Sequence, residues 1–333
     1  MDEDASRKLS EFLAVAKLSP SRANEHTWQG KTTAELSNAA IYCFQNIPSS
    51  RAAVFEYFGN LVHENVRSFI GQFENTHSSY DLSGAEEAVL EFAAVLQVIV
   101  VREPKKWMFA TFEWALNILV QVSQQRTKKR GGPPKGLNEL LQLYTSCKST
   151  KHILELLDSS IAGLLETSPD DCINLLSRST NYESSFNWIL TFIGTRHPRA
   201  IMTQLLQVGL KEYTNHITEL TPIATGRQPS GQQQSSPSQL LPTATQIAVT
   251  QELCREQLGS LSSIISHLAT HNPRVTRHSL LELFKSGLAV ADIPVKQQQQ
   301  PSRNLAIPFL IRLIDYSRNI LEILVLDLNE IGR

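Results

Sequence analysis

Three histidines near the end of the sequence come closest to the spacing of a metal site. His267 and His271 are four residues apart and would share one helix face, as the zinc ligands of zinc hydrolases do. The residues between them are Leu-Ala-Thr, so the glutamate that serves such enzymes as general base is absent. Asn272-Pro273 would also end the helix before His278. We therefore predict structural histidines and no metal site, with a zinc hydrolase that uses His267 and His271 as the enzymatic alternative.

The cysteines and the paired carboxylates offer no catalytic arrangement. His152 follows Cys147 after five residues, and this spacing supplies the thiol with no oriented base. A free cysteine is most often a small buried hydrophobe, and we predict this packing role for Cys147 and Cys172. Asp170 and Asp171 suit the positive end of a helix dipole. We therefore predict no catalytic, cofactor-binding or metal-binding residues, no cofactor, and a protein that is not an enzyme.

Nucleotide and nucleic-acid sites are also disfavoured. The sequence has no phosphate-binding glycine loop, and Gly131-Gly132 precedes two prolines and follows no strand. The net charge of −1 gives no general attraction to a phosphate backbone, so we expect no direct nucleic-acid contact. The tryptophans lie in or beside apolar helical stretches and are predicted to pack rather than stack on bases. They are Trp28, Trp107, Trp114 and Trp188.

Helices must position all of these residues, because apolar side chains recur at helical spacing almost throughout. One pattern recurs: an apolar helix ends, a proline follows, and a second apolar helix begins. The turns fall at Pro48, Pro104, Pro169, Pro198 and Pro273. Proline suits the first position of a helix and drives the residue before it into the extended geometry of an N-cap. Ser168 and Asn272, each directly before one of these prolines, are suitable N-caps.

Successive helix pairs with short turns predict an all-α fold, an irregular α-solenoid of antiparallel helix hairpins of HEAT or armadillo type. The uneven spacing of the prolines indicates a degenerate array, and an unrelated all-α bundle is the alternative. Val98 to Val101 has the composition of a strand. Because it continues a helical run from Glu86, we predict that it forms a buried helix end.

The predicted domains are a helical-repeat region at 1–220, a disordered insertion at 221–248, and continuing helical repeats at 249–333. The insertion is rich in Gln, Ser, Pro and Thr and almost uncharged, so it cannot bury enough apolar surface to fold. The last helix pair lacks the polar finish of a capping repeat. We therefore expect an array that is truncated at its C-terminal end.

Composition and targeting signals point to the inside of the cell. The four cysteines are far apart, as in a reduced protein, and the acidic N-terminus is no signal peptide. The longest apolar stretch, 88–101, is broken by Glu91 and Gln97 and is too short to cross a membrane. The basic run from Arg126 to Lys135 is either a nuclear localisation signal or a solvated loop.

Four segments carry a resemblance to a known family. They are Leu137 to Leu143 with Cys147 after them, Ser168 to Leu176, Phe186 to Pro198, and Gly209 to Tyr213. In this order they closely resemble the N-terminal region of the Integrator complex subunit 5 family, in which a low-complexity insertion follows. Residues 47–67, 267–288 and 307–313 match neighbouring segments of that family.

The resemblance implies a nuclear, non-catalytic scaffold in an assembly that associates with RNA polymerase II. That assembly processes the 3′ ends of small nuclear RNA and attenuates transcription. The implied partners are other Integrator subunits, notably subunit 8, and through them protein phosphatase 2A and RNA polymerase II. Family chains are much longer, so this chain is expected to lack a C-terminal portion. A HEAT-like cargo or peptide adaptor unrelated to Integrator is the alternative function.

Overall fold

Helices and the short turns between them make up the described part of the computed structural model. The described residues are 7–9, 12, 32–73, 83–128, 136–180, 186–224, 244–289 and 305–331. Within these ranges there is no β-strand. The chain divides into two compact units, Met1–Ser179 and Thr180–Arg333. The predicted all-α fold class is therefore confirmed.

The first unit is built from helices α1 to α7. They are α1 (Thr33–Asn46), α2 (Arg51–Phe73), α3 (Ser83–Arg102), α4 (Pro104–Lys128), α5 (Leu137–Ser146), α6 (Lys148–Thr167) and α7 (Pro169–Thr180), which ends one residue past the unit. A 3-10 turn, Pro48–Ser50, joins α1 to α2. The consecutive pairs α1–α2, α3–α4 and α5–α6 pack against each other across turns of one to four residues, so each pair forms a hairpin. Helix α3 also packs on α1, and α6 packs on both α3 and α4.

The second unit is a short stack of three hairpins. Its helices are α8 (Asn187–Arg196), α9 (Pro198–Ala224), α10 (Ala244–His271), α11 (Pro273–Ala289), α12 (Ala306–Tyr316) and α13 (Arg318–Ile331). Helix α10 packs between α8 and α12, and α11 packs between α9 and α13. The first helices of the hairpins thus form one row and the second helices form another. This is the neighbour-on-neighbour packing of an α-solenoid.

Local chemistry explains where the helices begin. Four of the predicted prolines, Pro104, Pro169, Pro198 and Pro273, are the first residues of their helices, and Pro48 opens the 3-10 turn before α2. All five predicted turns are confirmed. Proline is favoured at these positions because it lacks the N–H that a first helical position leaves unpaired. Helix α1 begins with a capping box that the sequence analysis missed. There the Thr32 backbone N–H donates to Glu35 Oε2 at 2.7 Å, and the Glu35 N–H donates to Thr32 Oγ1 at 3.3 Å.

Helices extend into both ends of the segment predicted as a disordered insertion, 221–248. Helix α9 continues to Ala224 and α10 begins at Ala244, so residues 221–224 and 244–248 are helical. Residues 225–243, which hold most of the Gln/Ser tract, lie outside the described residues. At its two margins, the helical periodicity of α9 and α10 therefore prevails over the polar composition.

The prediction of a buried helix end at Val98 to Val101 is wrong in part. The segment is helical and closes α3. Val100 is buried, but 58% of Val98 and 77% of Val101 is exposed. At about 3.6 residues per turn, Val98 and Val101 lie on the side of α3 that the described residues leave exposed, while Val100 faces the core. Val98 lines the groove described below, whereas Val101 does not.

Candidate functional site

The structure pairs two of the candidate zinc ligands with each other and gives the third a different partner. The His267 and His271 rings stack with centroids 4.1 Å apart on α10, and His271 Nδ1 lies 2.9 Å from the His267 carbonyl oxygen. Burial and the neighbouring His271 lower the pKa of His267, which favours its neutral form. His278 Nε2 lies 3.0 Å from Glu282 Oε1 on α11. The described residues contain no group of three or more His, Cys, Asp or Glu side chains that could hold a metal ion.

The cysteines occupy packing positions. Cys147 and Cys172 are both buried and free of disulfide bonds. Burial raises the pKa of the Cys147 thiol and raises that of Cys172 to about 11. Neither thiol is therefore ionised near neutral pH, whereas a nucleophilic cysteine must be a thiolate. His152, the nearest candidate base in the sequence, instead lies 3.1 Å from Glu155 through Nδ1 and Oε2.

The tryptophans within the described residues pack as predicted. Trp188 is fully buried, Trp107 is buried, and Trp114 donates from Nε1 to the Phe55 carbonyl oxygen at 2.9 Å. Trp28 and Gly131-Gly132 lie outside the described residues. The basic run lies outside them too, except for its first residues, which are helical as the end of α4.

Two polar contacts between helices of the first unit went unnoticed in the sequence. Asn65 of α2 is buried and donates from Nδ2 to Ser149 Oγ of α6 at 3.0 Å. Two residues earlier on α2, and so on a different side of the helix, His63 lies 2.9 Å from Gln121 of α4 through Nε2 and Oε1. Burial lowers the pKa of His63, which keeps the imidazole neutral. These contacts fix the register of α2 against its neighbours. These contacts were missed in the sequence analysis because a single polar residue in an apolar helix does not indicate which distant residue it will pair with.

One concave surface in the described part of the first unit is a groove of about 630 Å³, formed by α1, α3, α4 and the start of α2. We call it the Trp107 groove. Its lining residues are Phe44, Gln45, Arg51, Glu91, Ala94, Val95, Val98, Ile99, Arg102, Glu103, Lys106 and Trp107. Those from α3 recur every three or four residues and form one helix face. The groove therefore contains the exposed Val98 that the sequence analysis expected to be buried.

Packed aromatic rings hold the floor of the Trp107 groove. The Phe44 ring contacts Trp107 and Phe92 with centroid distances of 5.2 and 5.3 Å, and Phe92 stacks on Phe58 at 3.9 Å. Interlocked rings of this kind leave a side chain little freedom to rotate. The floor is therefore a formed surface, with the Trp107 ring set in a fixed orientation.

One arginine at the wall of this groove is held in place from two sides. Its guanidinium carbon lies 4.5 Å from the centroid of the Trp107 ring, and its Nε donates to the Phe44 carbonyl oxygen at 3.2 Å. This residue is Arg51, in the segment 47–67 that the sequence analysis singled out. Among the described residues, nothing accepts a hydrogen bond from its two terminal nitrogen atoms. An arginine held in one orientation presents its two terminal N–H groups side by side, and this geometry matches the two oxygen atoms of a carboxylate.

The α12–α13 hairpin of the second unit carries a second, flatter apolar surface. Ile311 and Tyr316 on α12, and Leu321 and Val325 on α13, are each exposed by 40% or more. On the other side of α12, Phe309 and its neighbours are buried in the unit. The hairpin thus has an apolar face in the core and further apolar side chains at the surface. Surfaces of this kind on folded proteins commonly mark contacts with other chains.

None of the described helices is long and apolar enough to cross a bilayer.

Comparisons with known proteins agree with the resemblance in the sequence. The family described as Integrator complex subunit 5 N-terminus matches residues 4–215, and the family described as Integrator complex subunit 5 C-terminus matches residues 257–331. The chain is similar to Integrator complex subunit 5 of Mus musculus, with 25% identity over 297 residues that cover 84% of this chain and 28% of the relative. It is similar to the Drosophila melanogaster protein of the same name, with 20% identity over 316 residues that cover 90% of this chain and 27% of the relative. The chain thus spans less than a third of the length of these relatives.

Proposed function

The chain belongs to the Integrator complex subunit 5 family, and from this membership we propose that it is a non-catalytic scaffold within the Integrator complex. In this role it supports small nuclear RNA 3′-end processing and the attenuation of transcription by RNA polymerase II. Its action is positional: helix hairpins present exposed faces that hold other subunits in register. Family membership disfavours the alternative of a cargo or peptide adaptor unrelated to Integrator.

The observation that carries this proposal is the exposed apolar surface on packed hairpins. Both units contain consecutive hairpins whose core faces are full, yet α3 and the α12–α13 hairpin also expose apolar side chains. A helix that buries one face and exposes a second apolar face is suited to contacts with a further chain. The candidate catalytic groups, by contrast, are buried thiols and a stacked histidine pair.

The partners that we propose are other Integrator subunits, notably subunit 8. Protein phosphatase 2A and RNA polymerase II would be reached through those subunits rather than by direct contact. We propose a nuclear location, and we propose HEAT-like repeats as the subtype of the hairpin array. Direct contact with nucleic acid is not expected, since the net charge is −1.

Co-purification tests this function. The tagged chain, expressed in cells and recovered from nuclear extract, should bring other Integrator subunits with it at amounts comparable to its own. The control is the same chain denatured and then offered to the extract, which should recover none. If the folded chain recovers no Integrator subunit, the proposed function is wrong.

A further inference from the structure

We propose that the Trp107 groove binds an amphipathic helix of another protein, with a carboxylate of that helix paired to Arg51. The proposal rests on the scaffold function, because it assigns one of the surfaces through which that function would act. Its support comes from the form of the groove, the fixed arginine, and the distribution of charge along α3.

The walls of the groove favour a helical occupant over an extended one. They are made of helices, whose backbone N–H and C=O groups are already paired within each helix. An extended peptide would find no free backbone edge to pair with and would leave its own polar backbone unsatisfied. A helix satisfies its backbone internally and needs only apolar anchors. Val95, Val98 and Ile99 of α3 supply the surface for such anchors.

The positive charge of Arg51 favours an occupant that carries a carboxylate. Because the Trp107 ring and the Phe44 carbonyl oxygen already orient the guanidinium, binding a carboxylate there would cost little side-chain entropy. Nearby, Lys106 is already paired with Glu103, their Nζ and Oε2 atoms being 3.0 Å apart. At the C-terminal end of α3, the groove lining holds Arg51, Arg102 and Lys106 against the single carboxylate of Glu103, which attracts both Lys106 and Arg102, so this end keeps an excess of positive charge.

Charge also sets the direction of the occupant. Glu91 lines the other end of the groove, eleven residues before Arg102 and therefore about 16 Å away along α3. A bound helix of three turns would cover this distance. Its C-terminal end, which is negative by the helix dipole, belongs beside Arg51 and Arg102, and its positive N-terminal end belongs beside Glu91. The occupant is therefore a three-turn helix with apolar residues on one face and Asp or Glu in its last turn.

Site-specific photo-crosslinking in the assembled complex tests this assignment. The photoreactive residue p-benzoylphenylalanine replaces Val98 in the full 333-residue chain, which is then recovered from nuclear extract with its partners. The crosslinked peptide, sequenced by mass spectrometry, should come from another Integrator subunit. It should show apolar residues at i, i+3 or i+4, and i+7, followed by a carboxylate. The same crosslinker at Val101, which is more exposed but outside the groove lining, is the positional control and should react with this peptide at least tenfold less.

Charge-reversal variants test whether the partner helix binds in the groove itself or whether the crosslink only reflects assembly of the complex. Arg51→Glu and Arg102→Glu should each lower the crosslink yield at Val98 at least tenfold, whereas Lys105→Glu, an exposed neighbour outside the lining, should leave it unchanged. Replacing the partner carboxylate with arginine should restore the yield in the Arg51→Glu chain. Arg102 is exposed, so its variant keeps the test valid if Arg51→Glu does not fold, as judged by circular dichroism.

The outcomes distinguish the two proposals. The groove assignment is wrong if Integrator subunits are recovered but the crosslink goes to a segment without the helical pattern, to a second copy of this chain, or to nothing. The scaffold function would still stand in each of these cases. A crosslink yield that is unchanged in both charge-reversed chains would overturn it as well. Recovery of no Integrator subunit with the unsubstituted chain would overturn the scaffold function and with it this proposal.

Discussion

A single methyl group added at Gly209 should loosen the second unit. Gly209 lies in α9 at the point where that helix meets α10 and α12. A Cβ atom there would overlap Leu261 Cδ2 and would lie 2.9 Å from Phe309 Cζ, and both of these side chains are buried. Leu261 has some freedom to move, but the Phe309 ring is rigid and fully buried. We therefore expect Gly209→Ala to force a shift between helices.

The size of the effect follows from two opposing terms. Overpacking of a filled core costs about 1–3 kcal/mol. Replacing glycine by alanine inside a helix recovers about 1 kcal/mol of helix propensity. The net expectation is a loss of roughly 1 kcal/mol. Gly259→Ala in α10 is the matched control, because its Cβ would lie 3.8 Å from Tyr316, an ordinary contact, and it should gain about 0.5–1 kcal/mol.

The two variants should therefore differ in sign. Their difference of about 2 kcal/mol corresponds to roughly 4–8 °C in Tm for a unit of this size. Thermal unfolding followed by circular dichroism measures this difference, and a Leu261→Ala background should relieve part of the cost of Gly209→Ala. The reasoning fails if Gly209→Ala stabilises the chain as much as Gly259→Ala does, because the three helices would then not approach closely at Gly209.

Three further predictions concern pH, reactivity and hydrogen bonding. The pKa of His63 is lowered in the folded chain, so the unfolded chain binds the proton more readily and stability falls as pH drops below about 6.5. Urea titrations between pH 5 and 8 should show this fall, and His63→Gln should reduce it. At pH 8 the Cys172 thiolate fraction is about a hundredfold below that of a cysteine of pKa 9.0, so iodoacetamide should modify Cys172 only after unfolding, as peptide mapping will show. Asn187 Nδ2 donates to Ser260 Oγ at 2.6 Å, and Ser260 Oγ donates back to Asn187 Oδ1 at 2.8 Å. A double-mutant cycle to alanine should give a coupling of about 1 kcal/mol, and a coupling near zero would contradict the pairing.

The sequence predicted the features that depend on neighbouring residues. Proline placed the helix starts because its ring fixes φ and its nitrogen carries no proton, whatever the tertiary context. Apolar side chains at helical spacing predicted helices with a core face, and in α6 Ile153, Leu157 and Ile161 have this spacing and are all fully buried. Family membership could also be seen in the sequence, since long runs of matching residues need no coordinates. The prediction failed in part at Val98 to Val101, because composition alone does not tell which side of a helix lacks a neighbour.

The candidate site depended on contacts that join distant parts of the chain. Phe44, Arg51 and Trp107 come from three helices, and nothing in their spacing indicates that the guanidinium lies on the indole ring. Gly209 could be recognised in the family resemblance, but its reason, the close approach of α10 and α12, appeared only in the packed second unit. Local sequence thus determined the helices and their ends, since turn chemistry and periodicity act within a few residues. Tertiary packing alone decided which faces were covered, because burial depends on helices that are far apart in the sequence.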